Sequence, residues 1–298
     1  MIGVPVRSEV LMGTIVTIHV VRDDIGDADD AIARAFGWFQ EIESRCSRFD
    51  EQSELVQLCA RIGVPVPASP ILFEAVRFSL QVAEDTGGAF DPTVGLLMHA
   101  QGFNRNYRTG RTVRSTVALD GDVSYRDVEI DANERTITLH KPLLLDLGSV
   151  AKGLAIDAAA RELQPSHDFA IDAGGDLYLG GCNSQGVPWT IGIRHPRTDG
   201  ALIDSFRISD KAVCTSGDYE RVAPNGTGHI LDPRRSAAAT DSASVTVVAP
   251  TALAADALAT AAFVLGPAEG IDLLVRHGAE GLIVSAELER FETPGMPR

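Results

Sequence analysis

No stretch of the 298 residues reaches the roughly 18 consecutive apolar residues that a membrane-crossing helix needs, so none is expected. Basic residues are scarce: 26 Lys and Arg stand against 41 Asp and Glu, a formal charge of -15. That balance argues against a surface that collects nucleic acid or anionic lipid, since either demands an excess of Lys and Arg on at least one face. An anionic substrate would need a local basic patch or a metal ion. The four cysteines, Cys46, Cys59, Cys182 and Cys214, show no Cys-x-x-Cys spacing, which fits reduced, mostly buried thiols better than zinc or disulfides. Residues Met1 to Arg7 lack the charged start and apolar core of a signal peptide, so the expected compartment is the cytoplasm. No internal repeat, low-complexity block or obvious linker interrupts the chain, which suggests one compact unit over 1–298, with a flexible tail at 292–298.

What is present describes a globular protein able to bury a core: 45% of residues are hydrophobic and 22% charged. The N-terminal half predicts a strand over 11–21, a helix over 27–46 with Ile32, Ala35, Phe36, Phe39 and Ile42 on one face, and a helix opened by Ser69-Pro70 and closed by Gly87-Gly88. Between Gly102 and Arg114 lies a polar stretch with four arginines, either a solvated loop or the basic patch of an acidic chain. From Val117 onward, short strand-like runs dominate, at 128–130, 136–139, 143–147, 169–171, 189–193, 206–208, 212–215 and 244–248. Helices are expected over 150–163, 252–265 and 269–277. Runs of adjacent strands with segregated helices predict an α+β fold with largely antiparallel sheet.

Several segments carry chemistry. Asp146-Leu147-Gly148-Ser149-Val150-Ala151-Lys152-Gly153 reads as a strand-to-helix turn, whose free N–H groups attract anions, phosphates above all. Gly148 and Gly153 would let a ligand or a neighbouring strand approach the backbone, although glycine there also serves packing alone. In the 250s helix, Asp256 and Thr260 are four apart and share a face. They offer two hard oxygens suited to Mg²⁺, or else a buried Asp and Thr satisfied by backbone. Gly88-Ala89-Phe90-Asp91-Pro92-Thr93-Val94-Gly95 is a turn bordered by glycine that permits tight backbone geometry, or else a plain helix-to-loop connection. Ala173-Gly174-Gly175-Asp176 is a glycine turn without Rossmann spacing. His229, near Asp232, has the chemistry of a general base, or is structural; Ser216 lacks the Gly-x-Ser-x-Gly elbow of a nucleophile.

Taken in order, these segments resemble the ApbE family of FAD:protein FMN transferases over nearly the whole chain. The resemblance rests on Met12-Gly13-Thr14, Ser47-Arg48-Phe49-Asp50, Ser53-Glu54-Leu55, the segments 88–95 and 146–153, and 173–176. It continues through Thr215-Ser216-Gly217-Asp218-Tyr219, His229-Ile230-Leu231-Asp232-Pro233 and Asp256 to Thr260. It implies that FAD contacts Met12, Phe49, Ala89, Phe90, Asp91, Asp146, Lys152 and Ile230. It implies Mg²⁺ held by Asp256, Thr260 and a backbone oxygen of Ser149. Phe49 stands where the family often has Tyr, keeping an aromatic face without the hydroxyl. Arg234-Arg235-Ser236 stands where Thr-Gly is common, so that loop is expected to differ.

The implied reaction is attack by a Ser or Thr hydroxyl of an acceptor flavoprotein on the FMN-side phosphorus of FAD. AMP leaves, and His229 is the candidate base. Two rivals keep the pocket: a Mg²⁺-dependent FAD pyrophosphatase in which water attacks, and a flavin-binding protein without turnover.

Overall fold

The computed structural model describes residues 6–21, 28–115, 117, 122–223, 226 and 228–298. Strands β1 (Val6–Leu11) and β2 (Thr14–Val20) form a hairpin whose two-residue turn, Met12-Gly13, has positive φ at both positions, 51° and 77°. Only β2 matches the strand expected over 11–21. Every residue of β1 but Leu11 is exposed, so β1 carries no apolar alternation to read. Helix α1 (Ala28–Cys46) buries Ile32, Ala35, Phe36, Phe39 and Ile42 as their spacing predicts, while its expected first residue, Asp27, lies outside the described residues. There follow α2 (Glu54–Cys59), β3 (Val66–Pro67), α3 (Pro70–Asp85) and α4 (Gly95–Ala100). The start of α3 is as expected: the Ser69 hydroxyl accepts from the Leu72 N–H and Pro70 occupies the first position.

Next come β4 (Val128–Asp131), β5 (Thr136–Leu139) and α5 (Gly148–Leu163). The strand expected over 143–147 is not one. Leu143, Leu144, Leu145 and Leu147 are buried, but the regular pairing of this segment is a single parallel bridge between Val94 and Leu144. A short apolar run reports burial, not pairing. The chain continues through β6 (Phe169–Ala173), β7 (Asp176–Gly180), β8 (Trp189–Arg194), β9 (Leu202–Ile208), β10 (Lys211–Gly217), β11 (Leu231–Asp232), β12 (Ala237–Ala238) and β13 (Ser242–Ala249). It closes with α6 (Ala252–Leu265), α7 (Pro267–Arg276), β14 (Glu280–Ser285) and β15 (Arg290–Glu292). The fold is α+β and its paired strands are antiparallel, as expected.

The chain groups into two compact units, each assembled from separated segments, which is why no linker marks a boundary in the sequence. The first comprises 1–40, 152–217 and 241–298, the second 41–151 and 218–240; two of the four boundaries fall inside α1 and α5. In the first, eight strands form one sheet in the order β1-β2-β6-β7-β10-β13-β14-β15. Helix α6 packs on β10 and β13, and α7 on β14. On the opposite face the hairpin β8-β9 supplies Ile193, Phe206 and Ile208 to a cluster with Val213, Val248, Leu282 and Val284. Covered on both faces, β13 is buried at every residue and reads as an unbroken apolar and hydroxyl run. The tail expected at 292–298 is anchored instead: Met296 joins that cluster, and Thr293 exchanges backbone and side-chain hydrogen bonds with Gly281.

The second unit holds α2, α3, α4, the sheet β3-β5-β4 and the pair β11-β12. Gly95 opens α4 beneath residue 144. A Cβ there would stand 2.4 Å from the Leu144 carbonyl oxygen, so only glycine fits.

Candidate active site

Within the first unit, α5 is docked onto the beginning of α6. Both oxygens of Asp157 accept backbone N–H groups there, from Ala252 at 2.7 Å and Leu253 at 2.9 Å, while the Thr251 hydroxyl accepts from Ala254. Three donors that a helix start leaves unpaired are thus satisfied. One turn earlier on α5, Gly153 lets the two backbones meet, since a Cβ would lie 2.4 Å from the Ala252 oxygen. The element approaching Gly153 is therefore a helix, not the strand expected there. Burial pushes the Asp157 carboxyl above its ordinary range, although the two N–H donors work against it.

This docking sets Lys152 beside Asp256. The Lys152 Nζ is 3.2 Å from Asp256 Oδ2 and is also paired with Asp176 Oδ2. Asp176, at the first residue of β7, accepts the Thr215 N–H through its other oxygen. Thr260, one turn beyond Asp256 on α6, shares a hydrogen bond with Ser216 at 3.3 Å. The end of the sheet therefore gathers Asp176, Thr215, Ser216, Lys152, Asp256 and Thr260. The Met12-Gly13 turn lies at the same end, because β2 pairs with β6 and the Gly174 N–H donates to Ile15. Below, burial raises the Cys214 thiol well above its usual range, helped by the Asp256 charge; its Sγ faces the Ala252 carbonyl at 3.8 Å. The sequence pattern assigns no ligand role to Asp176 or Ser216; for Asp176 the available signal is its place at a strand start after a glycine turn.

Among the described residues, no group of three or more His, Cys, Asp and Glu side chains is arranged to hold a metal ion. The donor chemistry nevertheless fits Mg²⁺. Two nearly buried carboxylates and two hydroxyls are all hard oxygens, and Mg²⁺ typically takes one or two carboxylates and completes its shell with water and substrate phosphate.

In the second unit, Asp146 precedes α5 and accepts the Gly148 N–H through Oδ1 at 2.8 Å. Gly148 and Ser149 are the first residues of the helix, not a turn before it, and one of its leading N–H groups is already engaged. Arg48 donates to Asp146 Oδ2 at 2.6 Å. Burial alone would raise the Asp146 carboxyl; Arg48, the Gly148 N–H and the Arg221 charge outweigh it, so it stays below its ordinary range. Ser149 stands three residues before Lys152 on the same helix. The Arg48 guanidinium also covers the Phe49 ring, 4.1 Å from its centroid.

Ala89, Phe90 and Asp91 are buried. The Asp91 oxygens are engaged by neighbours, Oδ1 by the Thr93 N–H and hydroxyl and Oδ2 by the Tyr125 N–H, so this carboxylate shapes its own turn. His229 lies against Phe103 edge to face, with Nδ1 3.3 Å from the Arg221 carbonyl, and Ile230 beside it is buried. In the loop that departs from the family pattern, Arg234 grips Asp232 bidentately at 2.9 and 3.0 Å. The expected site residues thus form a first-unit group, Met12, Lys152, Asp256 and Thr260, and a second-unit group, Phe49, Ala89, Phe90, Asp91, Asp146, Ser149, His229 and Ile230.

The ApbE family matches residues 12–283, and the chain belongs to that family. It is 32% identical over 299 residues to the FAD:protein FMN transferase of Treponema pallidum, covering 90% of this chain and 80% of that protein. To the FAD:protein FMN transferase of Haemophilus influenzae it is 28% identical over 253 residues, covering 80% and 73%. Among solved structures, the ApbE protein of Thermotoga maritima superposes with a TM-score of 0.85 at 29% identity, covering 98% of this chain and 97% of that one. The flavin transferase ApbE of Vibrio cholerae gives 0.85 at 25% identity with the same coverage.

Proposed function

We propose that the chain, as one ApbE-like functional domain over 1–298, is an FAD:protein FMN transferase that moves FMN from FAD to a Ser or Thr hydroxyl of an acceptor protein. The observation that carries the reading is the Lys152, Asp176 and Asp256 cluster at the docked starts of α5 and α6, in a chain whose curated relatives bear that enzyme's name.

In this proposal the acceptor oxygen attacks the FMN-side phosphorus, the bond from that phosphorus to the bridging oxygen breaks, and AMP departs with that oxygen. The hydroxyl proton passes to His229. Met12, Phe49, Ala89, Phe90, Asp91, Asp146, Lys152 and Ile230 contact FAD, with the Phe49 ring offering a stacking face. Asp256, Thr260 and the Ser149 backbone oxygen hold Mg²⁺, which when bound neutralises charge on the transferring and leaving phosphates. Lys152 keeps the Asp256 carboxylate aimed, and Asp176 keeps Lys152 in place. The same proposal places the enzyme in the cytoplasm, consistent with four free cysteines, and gives it no nucleic-acid partner, consistent with its charge of -15.

The test is incubation with FAD and Mg²⁺, with and without an acceptor protein carrying a flavinylation site. Transfer leaves acid-stable flavin fluorescence on the acceptor band and releases AMP only when acceptor is present. AMP and FMN released equally without acceptor would make the protein an FAD pyrophosphatase, and FAD unchanged in both would leave a binding protein.

A further inference from the structure

Arg48 has no role in the reaction as proposed, yet it is only 5% exposed. Its guanidinium makes two contacts within the second unit: an edge donates to Asp146 Oδ2 at 2.6 Å, and a face lies 4.1 Å from the Phe49 ring centroid. Both partners are tied elsewhere as well, Asp146 to the Gly148 N–H and the Phe49 carbonyl to Asn106 Nδ2. One planar cation thus fixes a carboxylate by its edge and an aromatic ring by its face. A lysine offers a point charge and no plane.

The ion pair holds the Asp146 charge, but stability does not account for the rest of the arrangement. Arg48 Nη1 is buried and has no hydrogen-bond partner among the described residues, and His99 Nε2, on the wall of the same roughly 230 Å³ cavity, is in the same condition. Buried donors left unpaired are destabilising, and a buried ion pair is often matched or bettered when both partners are replaced by apolar side chains of similar volume. A local rule broken in a packed interior without an evident stabilising return is the mark of a functional constraint.

We propose that Arg48 is a positioning residue for flavin binding: it sets the plane of the Phe49 ring and the orientation of the Asp146 carboxylate, so that both meet FAD in one fixed geometry. The inference rests on the FAD-binding reading above and deepens it. Arg48 touches no reacting atom and acts through its two partners.

The test compares wild type, Arg48→Lys, Phe49→Leu and the double variant, with a thermal melt on each and Arg48→Met as the variant that removes the cation altogether. FAD affinity, the visible circular dichroism of bound flavin, and KM and kcat for transfer are measured on each. Arg48→Lys is expected to weaken FAD binding and raise KM about tenfold, with kcat within about twofold and an altered flavin spectrum. Phe49→Leu is expected to cost distinctly less in the Arg48→Lys background than in wild type, because the two groups act together. Arg48→Lys keeps a cation beside Asp146 and is expected to stay folded at the assay temperature, so its loss of FAD affinity separates positioning from folding; Arg48→Met leaves that carboxylate buried without its cation and is expected to melt lower. Wild-type affinity and spectrum in a folded Arg48 variant, or strictly additive losses, would overturn the proposal. Wild-type protein that binds no FAD would overturn the transferase reading and this inference together.

Discussion

At Lys152 one ammonium group meets two carboxylates, and the arrangement decides what single substitutions should do. Asp256→Ala removes one carboxylate from a helix of Ala and Leu residues and leaves Lys152 paired with Asp176, so the fold should persist while Mg²⁺-dependent transfer falls below detection on the acceptor band. Full activity in that variant would remove the metal assignment. His229→Ala should bind FAD normally and transfer FMN about a hundredfold more slowly, the usual scale for a lost general base. Asp146 makes a pH prediction. Its folded carboxyl titrates below the ordinary carboxylate range, so the stability it contributes is fully present above that range and is lost as pH falls through the lowered folded pKa. The urea-unfolding difference between wild type and Asp146→Asn should therefore be widest near neutral pH and shrink under acid; a gap independent of pH would contradict it. At this scale the sequence showed residue types and spacing: Asp256 and Thr260 do share a face of α6. It did not show that Asp91 spends both oxygens on Thr93 and Tyr125, because such pairings are made after the chain has turned.

At the scale of elements, the interlock of α5 with α6 carries the sharpest tests. Gly153→Ala would gain helix propensity but drive a methyl into the Ala252 carbonyl, which is backbone and cannot swing aside. A net loss of about 1 to 3 kcal/mol is expected by denaturant unfolding; a gain would show that the helices are free to separate. Asp157→Ala strips two N–H groups of their acceptor and should cost about 1 to 2 kcal/mol. Elements with strong internal signals were legible: α1 by its apolar stripe, α3 by its Ser-Pro start, and α6 by its apolar run. Those without were not. Strand β1 hides because it is exposed, and α2 and α4, at six residues each, are too short to show a period. Residues 143–147 misled because burial alone makes a strand-like sequence.

For the molecule as a whole, a charge of -15 means that an anionic dinucleotide is drawn in by local groups and not by the general field. Mg²⁺ should therefore stabilise the protein measurably, by about 2.7 kcal/mol at a hundred times its dissociation constant. Thermal melts with added Mg²⁺ should show the shift in wild type and not in Asp256→Ala, and chelation should reverse it. Equal shifts in both would place the ion elsewhere. Among the described residues, no helix is long and apolar enough to cross a membrane.

The eight-stranded sheet also has a consequence for how the protein is made. Strand β2 is made about 150 residues before its partner β6 begins, and β14 follows after more than a hundred further residues. At ordinary translation speed the first gap alone lasts roughly 10 to 30 seconds. Throughout that interval Val16, Ile18 and Val20 lack the strand that flanks them in the finished sheet, so closing β2 against β6 is a long-range pairing of the kind that sets a slow folding rate.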